Sequence, residues 1–251
     1  MGRFELRPPL EPCSHRRMPW DIWLIFFLLG VIVPWRGRYR LRELLAKPSI
    51  SAAERISLYR STIAFQWLIA GLAAWRSWAH GYSHTQLGLV IRSVWTVGVA
   101  TILGAAILAT FQWFNLRRMG HMSGKVRDRL QALAERILPQ STRERVPFFA
   151  LAATAGICEE FLYRGFAMAA FVSAGLPPWS AVVLSSLLFG IAHLYQGRGG
   201  LLGTTLLGFV FGAARSASGS LFPVVVWHIA IDAVAGIAGP RYLTLNKRVN
   251  D

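Results

Sequence analysis

Long apolar runs separated by short polar stretches dominate the chain. Nearly uncharged runs occupy 93–114, 165–192, 199–214 and 216–240, with shorter ones at 18–35 and 61–79. A helix that crosses a bilayer needs about 20 mostly apolar residues. The run 165–192 is broken at Gly175-Leu176-Pro177-Pro178, where two prolines end one helix and start another. Extending its first half upstream gives seven predicted spans, at 18–35, 61–80, 91–114, 146–172, 178–196, 200–215 and 219–239. The first is short and carries Asp21.

The polar stretch 115–145 has a pattern of its own. Val126, Leu130, Leu133, Ile137 and Leu138 fall at helical spacing, with Lys125, Arg127, Arg129 and Arg136 between them, and Pro139 ends the repeat. This predicts a basic amphipathic helix lying on the inner membrane surface. The expected fold class is an all-α, polytopic membrane helix bundle of about seven spans with one interfacial helix. Four segments follow: a basic, proline-rich tail at 1–17, accessory helices and basic loops at 18–145, a chemistry-bearing bundle at 146–239, and a tail at 240–251.

Composition changes the picture in one respect. Of 251 residues 54% are apolar, yet the formal charge is +15, from 27 Lys and Arg against 12 Asp and Glu. The two excesses lie in different segments. Seven basic residues fall in 36–60 and eight in 115–145, while 81–90 has none. With the N-terminus outside, nineteen basic residues lie on the cytoplasmic side and five outside. If 18–35 only dips into the bilayer, the split becomes twenty-three to one, so charge favours six spans and hydropathy seven. Loop arginines of this kind orient a chain and meet anionic headgroups. No basic groove interleaved with aromatics is present, which argues against nucleic acid as a partner. Arg16-Arg17 before a short apolar core imitates a secretory signal, but Val33-Pro34-Trp35-Arg36 offers no small-residue cleavage site, so the helix is read as retained. The expectation is a multi-pass protein of a bacterial cytoplasmic membrane. Cys13 and Cys158 make no disulfide framework.

Ionisable groups within spans are expensive and mark candidate sites. Asp21 apart, the acids in the predicted spans are Glu159, Glu160 and Asp232, and the deeply placed histidines are His193 and His228. On a helix Glu160 and Arg164 are i,i+4 neighbours and can pair, while Glu159 points about 100° away toward a cavity. A purely structural ion-pair cluster is the alternative. Phe189 precedes His193 by one turn. His228 and Asp232 share a face, so Asp232 can orient the imidazole; alone, that pair is equally a buried hydrogen bond. Gly208 and Gly212 allow close helix approach. Cys158, beside Glu159, reads as a small packing residue rather than a nucleophile.

At these residues the chain resembles the CAAX protease and bacteriocin-processing (CPBP, or Abi) family of intramembrane endopeptidases. The family pattern is Glu-Glu-x-x-x-Arg, then Phe-x-x-x-His, then His-x-x-x-Asn/Asp, found here as Glu159–Arg164, Phe189–His193 and His228–Asp232. Thr154-Ala-Gly-Ile-Cys-Glu-Glu-Phe-Leu-Tyr-Arg-Gly165 and Ser220-Leu-Phe-Pro223 agree as well, and the likeness covers roughly 138–239. The resemblance implies hydrolysis of a peptide bond in a membrane-embedded or lipid-anchored substrate. Glu159 and His193 would activate water, His228 and Asp232 would stabilise the oxyanion or position the substrate, and Glu160 and Arg164 would hold the helix and tune Glu159. It is equally compatible with zinc held by Glu159, His193 and His228; the metal-free scheme, with no cofactor required, is the preferred one. A proton-coupled carrier and a silent membrane scaffold are the rival classes. Against a carrier, the halves show no internal repeat and all candidates fall in one half.

Overall fold

The computed structural model describes residues 18–244; the tail expected at 1–17 and residues 245–251 lie outside the described residues. The described chain folds as α1 (Trp20–Ala46), α2 (Ala52–Ala79), α3 (Val94–Gly120), α4 (Gly124–Ile137), α5 (Thr142–Ser173), α6 (Pro178–Ala192), α7 (Arg198–Ser218) and α8 (Phe222–Leu243). A one-turn helix His84–Leu87 and a 3-10 turn Leu194–Gln196 join them. Among the described residues the one β feature is an isolated bridge between Leu89 and Ser220. Five helices, α1, α3, α5, α7 and α8, are long and apolar enough to cross a membrane. Of the other two expected spans, α6 is apolar but has 15 residues, and α2 has 28 residues interrupted by Glu54, Arg55, Arg60, Gln66 and Arg76.

Several boundaries differ from the sequence reading. The stretch 36–46, read as a basic loop, continues α1. Pro34 does not end the helix, because the preceding turns Leu28–Ile32 are π-helical and Val33 N–H bonds Leu28 O. The wider turn makes room for a proline ring that would otherwise meet the carbonyl four residues back. The helix stops instead at Lys47, extended ahead of Pro48 as pre-proline residues prefer. Likewise α8 runs through Pro240 into the expected tail. Proline in a last turn removes one hydrogen bond, and Leu243 is held by packing on Leu116 and Ala134.

α2 starts earlier than expected because Ser51 and Glu54 form a capping box. The Ser51 hydroxyl accepts from Glu54 N–H at 3.2 Å, and Glu54 accepts from Ser51 N–H at 2.8 Å. The Lys47 ammonium, 2.5 Å from Glu54, and the Ser51 groups hold the Glu54 carboxyl down to about 2. A depressed carboxyl stabilises the fold above its ordinary value and loses that contribution as pH falls toward its folded value. Thermal unfolding between pH 5 and pH 2 therefore loses a stabilising contribution in the wild type, and Ser51→Ala, lacking the cap, shows a smaller loss.

The helices alternate direction between two ends. At one end Arg136 of α4 donates to Leu44 O at 2.9 Å and Lys47 O at 2.8 Å. Gly120 abuts the Tyr242 backbone there, and Gly197 abuts Arg129. The basic segments 36–60 and 115–145 and the turn before α7 thus share one end. α4 is the expected amphipathic helix, and it packs on this end through Ala134. A buried ion pair locks it: Arg55, 5% exposed, donates to Glu144, 1% exposed, at 3.0 Å and to Glu135 O at 2.7 Å. At the opposite end Asp21, buried, accepts from Arg76 at 2.5 Å and meets His80 Nε2 at 2.8 Å. These two clusters fasten α2 to α5 and to α1 respectively. The main core lies between them, around Ile25, Leu29, Ile69, Cys158, Leu162 and Phe166.

Candidate active site

Five of the six candidate residues lie on α5 and α8, and His193 directly follows the end of α6. Glu159 and Glu160 end the α-helical part of α5, which continues in π register from Phe161 to Ala167. Such π stretches inside α-helices are frequent at functional sites. The adjacent carboxylates face different surroundings. Glu160 is fully buried, and its Oε1 accepts from Arg164 at 3.1 Å and from His228 Nδ1 at 2.7 Å. The Arg164 guanidinium lies 4.2 Å from the centre of the Phe189 ring and 5.6 Å from that of Phe211, a cation–π setting. Gly208 leaves it room, since a Cβ there would stand 2.9 Å from Arg164 Nη2.

Glu159 instead lines a cavity of about 230 Å³ between α1, α2 and α5, with His193, Gln66, Tyr195 and Arg36 also in its wall. Its Oε1 accepts from Gln66 Nε2 at 2.7 Å, and its Oε2 is 3.9 Å from His193 Nε2. His193 follows the last residue of α6, its ring against Phe189 with centroids 4.5 Å apart. His193 Nδ1 is 2.8 Å from Phe189 O, which only accepts, so Nδ1 carries a proton and Nε2 is the ring nitrogen turned toward Glu159. The cavity extends from this pair to Leu44, Tyr59 and Ile137, at the end that carries the basic segments.

His228 is held differently from the sequence reading. Asp232, its i,i+4 neighbour, is 3.7 Å from Nε2. Glu160, on another helix, takes the Nδ1 proton at 2.7 Å and orients the ring. Close approach of α8 to α5 brings this about. A Cβ at Gly156 would stand 2.5 Å from Ile229 Cγ1, so only glycine lets the turn carrying His228 settle beside Glu160. Gly156→Val overpacks this contact and should lower thermal stability by about 1–3 kcal/mol. Gly208 and Gly212 do similar work between α7 and α6: a Cβ at Gly212 would meet Val182 at 2.9 Å.

The structure therefore groups the candidates in two. Glu159 and His193 share the cavity, whereas His228 and Asp232 are not among its lining residues. His228 stands edge-on to Phe189, 6.3 Å between centroids. Among the described residues no three His, Cys, Asp or Glu side chains gather closely enough to hold a metal ion. Cys158 is fully buried in the core. Gln66 and Gly156 were missed in the sequence, although a lone amide inside the apolar run 61–79 is a signal that points to Gln66.

Neither a curated protein nor a solved structure matches this chain. Residues 142–234 match the family model described as Type II CAAX prenyl endopeptidase Rce1-like. That stretch contains Glu159, Glu160, Arg164, His193, His228 and Asp232; Gln66 and the α1–α2 wall of the cavity lie before it. Over residues 142–234 the chain is thus similar to the Rce1-like CAAX-protease family, within the wider CPBP/Abi group.

Proposed function

We propose that the protein is an intramembrane endopeptidase that hydrolyses peptide bonds of membrane-embedded or lipid-anchored substrates. The observation that carries this reading is the Glu159–His193 pair facing a cavity inside the bundle, 3.9 Å between Oε2 and Nε2. Both atoms are acceptors. A water between them donates one proton to each, at hydrogen-bond distances of about 2.8 Å, and keeps an oxygen lone pair for attack. As the water oxygen bonds to the scissile carbonyl carbon, Glu159 takes its proton. The carbonyl oxygen becomes an oxyanion, for which the Nε2–H of His228 is the donor, its ring held from behind by Glu160 at Nδ1. The proton then passes from Glu159 to the leaving nitrogen as the C–N bond breaks, giving a carboxylic acid, which keeps the second water proton, and an amine. Arg164 balances the Glu160 charge behind His228.

On this reading residues 146–239 are the catalytic bundle, and 18–145 supply accessory helices and the cavity wall. α2 and α6 complete seven spans, with the basic end in the cytoplasm of a bacterial cell, so the cavity takes substrate from that side. The test compares termini in membrane proteomes of cells making wild type or Glu159→Ala. New peptide termini that appear only with wild type are expected; identical termini in both would overturn the reading.

A second reading is favoured by the imidazoles. His193 and His228 both direct Nδ1 to an acceptor and turn Nε2 toward a carboxylate, Glu159 at 3.9 Å and Asp232 at 3.7 Å; an anchored Nδ1 is common in zinc-ligating histidines. Glu159, His193 and His228, with Asp232, are the residues that would hold zinc; they are not gathered as a metal cluster here and would have to draw together, and the ion would supply Lewis-acid activation of water. Metal analysis with chelation separates the two. Activity unchanged by a chelator is expected of the preferred metal-free scheme; stoichiometric zinc whose removal abolishes cleavage would establish the second.

A further inference from the structure

Gln66 is the one glutamine in the apolar run 61–79, on a helix outside the family-matched stretch. Its Nε2 lies 2.7 Å from Glu159 Oε1, while its own Oε1 is buried with no partner. Turning the amide over would set its oxygen against a carboxylate oxygen, so the donor faces Glu159. A side chain present only for packing would not leave a buried acceptor unmatched, because that costs more than an apolar replacement. The contact that offsets this cost is the one to Glu159. It also distinguishes the two carboxylate oxygens: Oε1 is tethered to α2, and Oε2, buried and without a partner, is left facing His193 Nε2.

We infer that Gln66 is a positioning residue for the hydrolytic reaction. It fixes the rotamer of Glu159 so that Oε2 is the oxygen that receives the proton of water. Glu159 has a soft side chain with three rotatable bonds, and among the described residues the hydrogen bond from Gln66 is the one that its carboxylate receives. Without Gln66 the carboxylate is free to leave the water-holding geometry. The site is then built from two parts of the chain, with α2 supplying the support that the 142–234 domain lacks. The inference rests on the peptidase reading above.

Three substitutions test it, each in the full-length protein in membranes and compared at equal amounts of folded protein by thermal unfolding. Gln66→Met keeps the size and removes the donor. Gln66→Glu keeps the shape and replaces the donor with an acceptor. Gln66→His places an N–H donor at nearly the same reach. The readout is the rate of formation of the Glu159-dependent termini. Met and Glu should slow it roughly 10- to 100-fold, the usual cost of removing a residue that orients a functional group, and His should recover most of the rate. A wild-type rate in Gln66→Met, or a His variant no faster than Met, overturns the inference. Absence of any Glu159-dependent termini would instead sink the peptidase reading itself.

Discussion

On the proposed endopeptidase reading, Glu159→Gln should reduce cleavage by roughly 10²–10⁴-fold, the range that a positioned general base contributes, and leave the bundle folded. The substitution keeps the shape and removes only the basic oxygen that faces His193. Glu159 is part of the cavity wall and lies outside the Glu160–Arg164–His228 cluster, so its neutralisation breaks no buried ion pair. His193→Ala should fall in the same range, because it removes the other acceptor of the water. The measurements are initial rates with the substrate found by comparing termini, and thermal unfolding of each purified variant. Full activity in both variants would remove these residues from the mechanism. Loss of solute flux in place of cleavage would favour the carrier.

Glu144→Ala should destabilise the protein by about 3–5 kcal/mol, the usual cost of leaving a buried charge without its partner. Arg55 would then be buried with one remaining acceptor, Glu135 O at 2.7 Å. The cost is structural and far from Glu159, so activity per folded molecule should survive while the unfolding temperature falls. Replacing both partners together, as Arg55→Met with Glu144→Leu, should recover most of the loss, because apolar residues of similar volume need no compensating charge. If the single and double variants unfold alike, the pair contributes nothing and some other contact anchors α2 to α5.

The contrast between these substitutions shows where sequence reasoning works. Glu144 and Arg55 stand in segments whose charge density reads as loop, and each alone is an ordinary surface residue. Their burial depends on two helices meeting 89 positions apart. The same is true of Asp21 with Arg76 and His80. By contrast, Glu160 and Arg164 are neighbours along one helix, and the geometry of a helix fixes that proximity without knowledge of any other element.

The sequence by itself determined that the chain is a bundle of apolar helices, that its basic segments share one end, and where along it the candidate residues fall. Apolar run length, charge asymmetry and i,i+4 spacing are local properties, readable along one dimension. Tertiary structure decided the partners. Glu160 rather than Asp232 orients His228 because Gly156 lets α8 approach α5, with 2.7 Å across helices against 3.7 Å along one. Gln66 reaches Glu159 only because α2 packs beside α5, and Pro34 leaves α1 unbroken only because a π turn precedes it. Contacts between helices depend on which faces meet and how closely, and that is settled by packing in three dimensions.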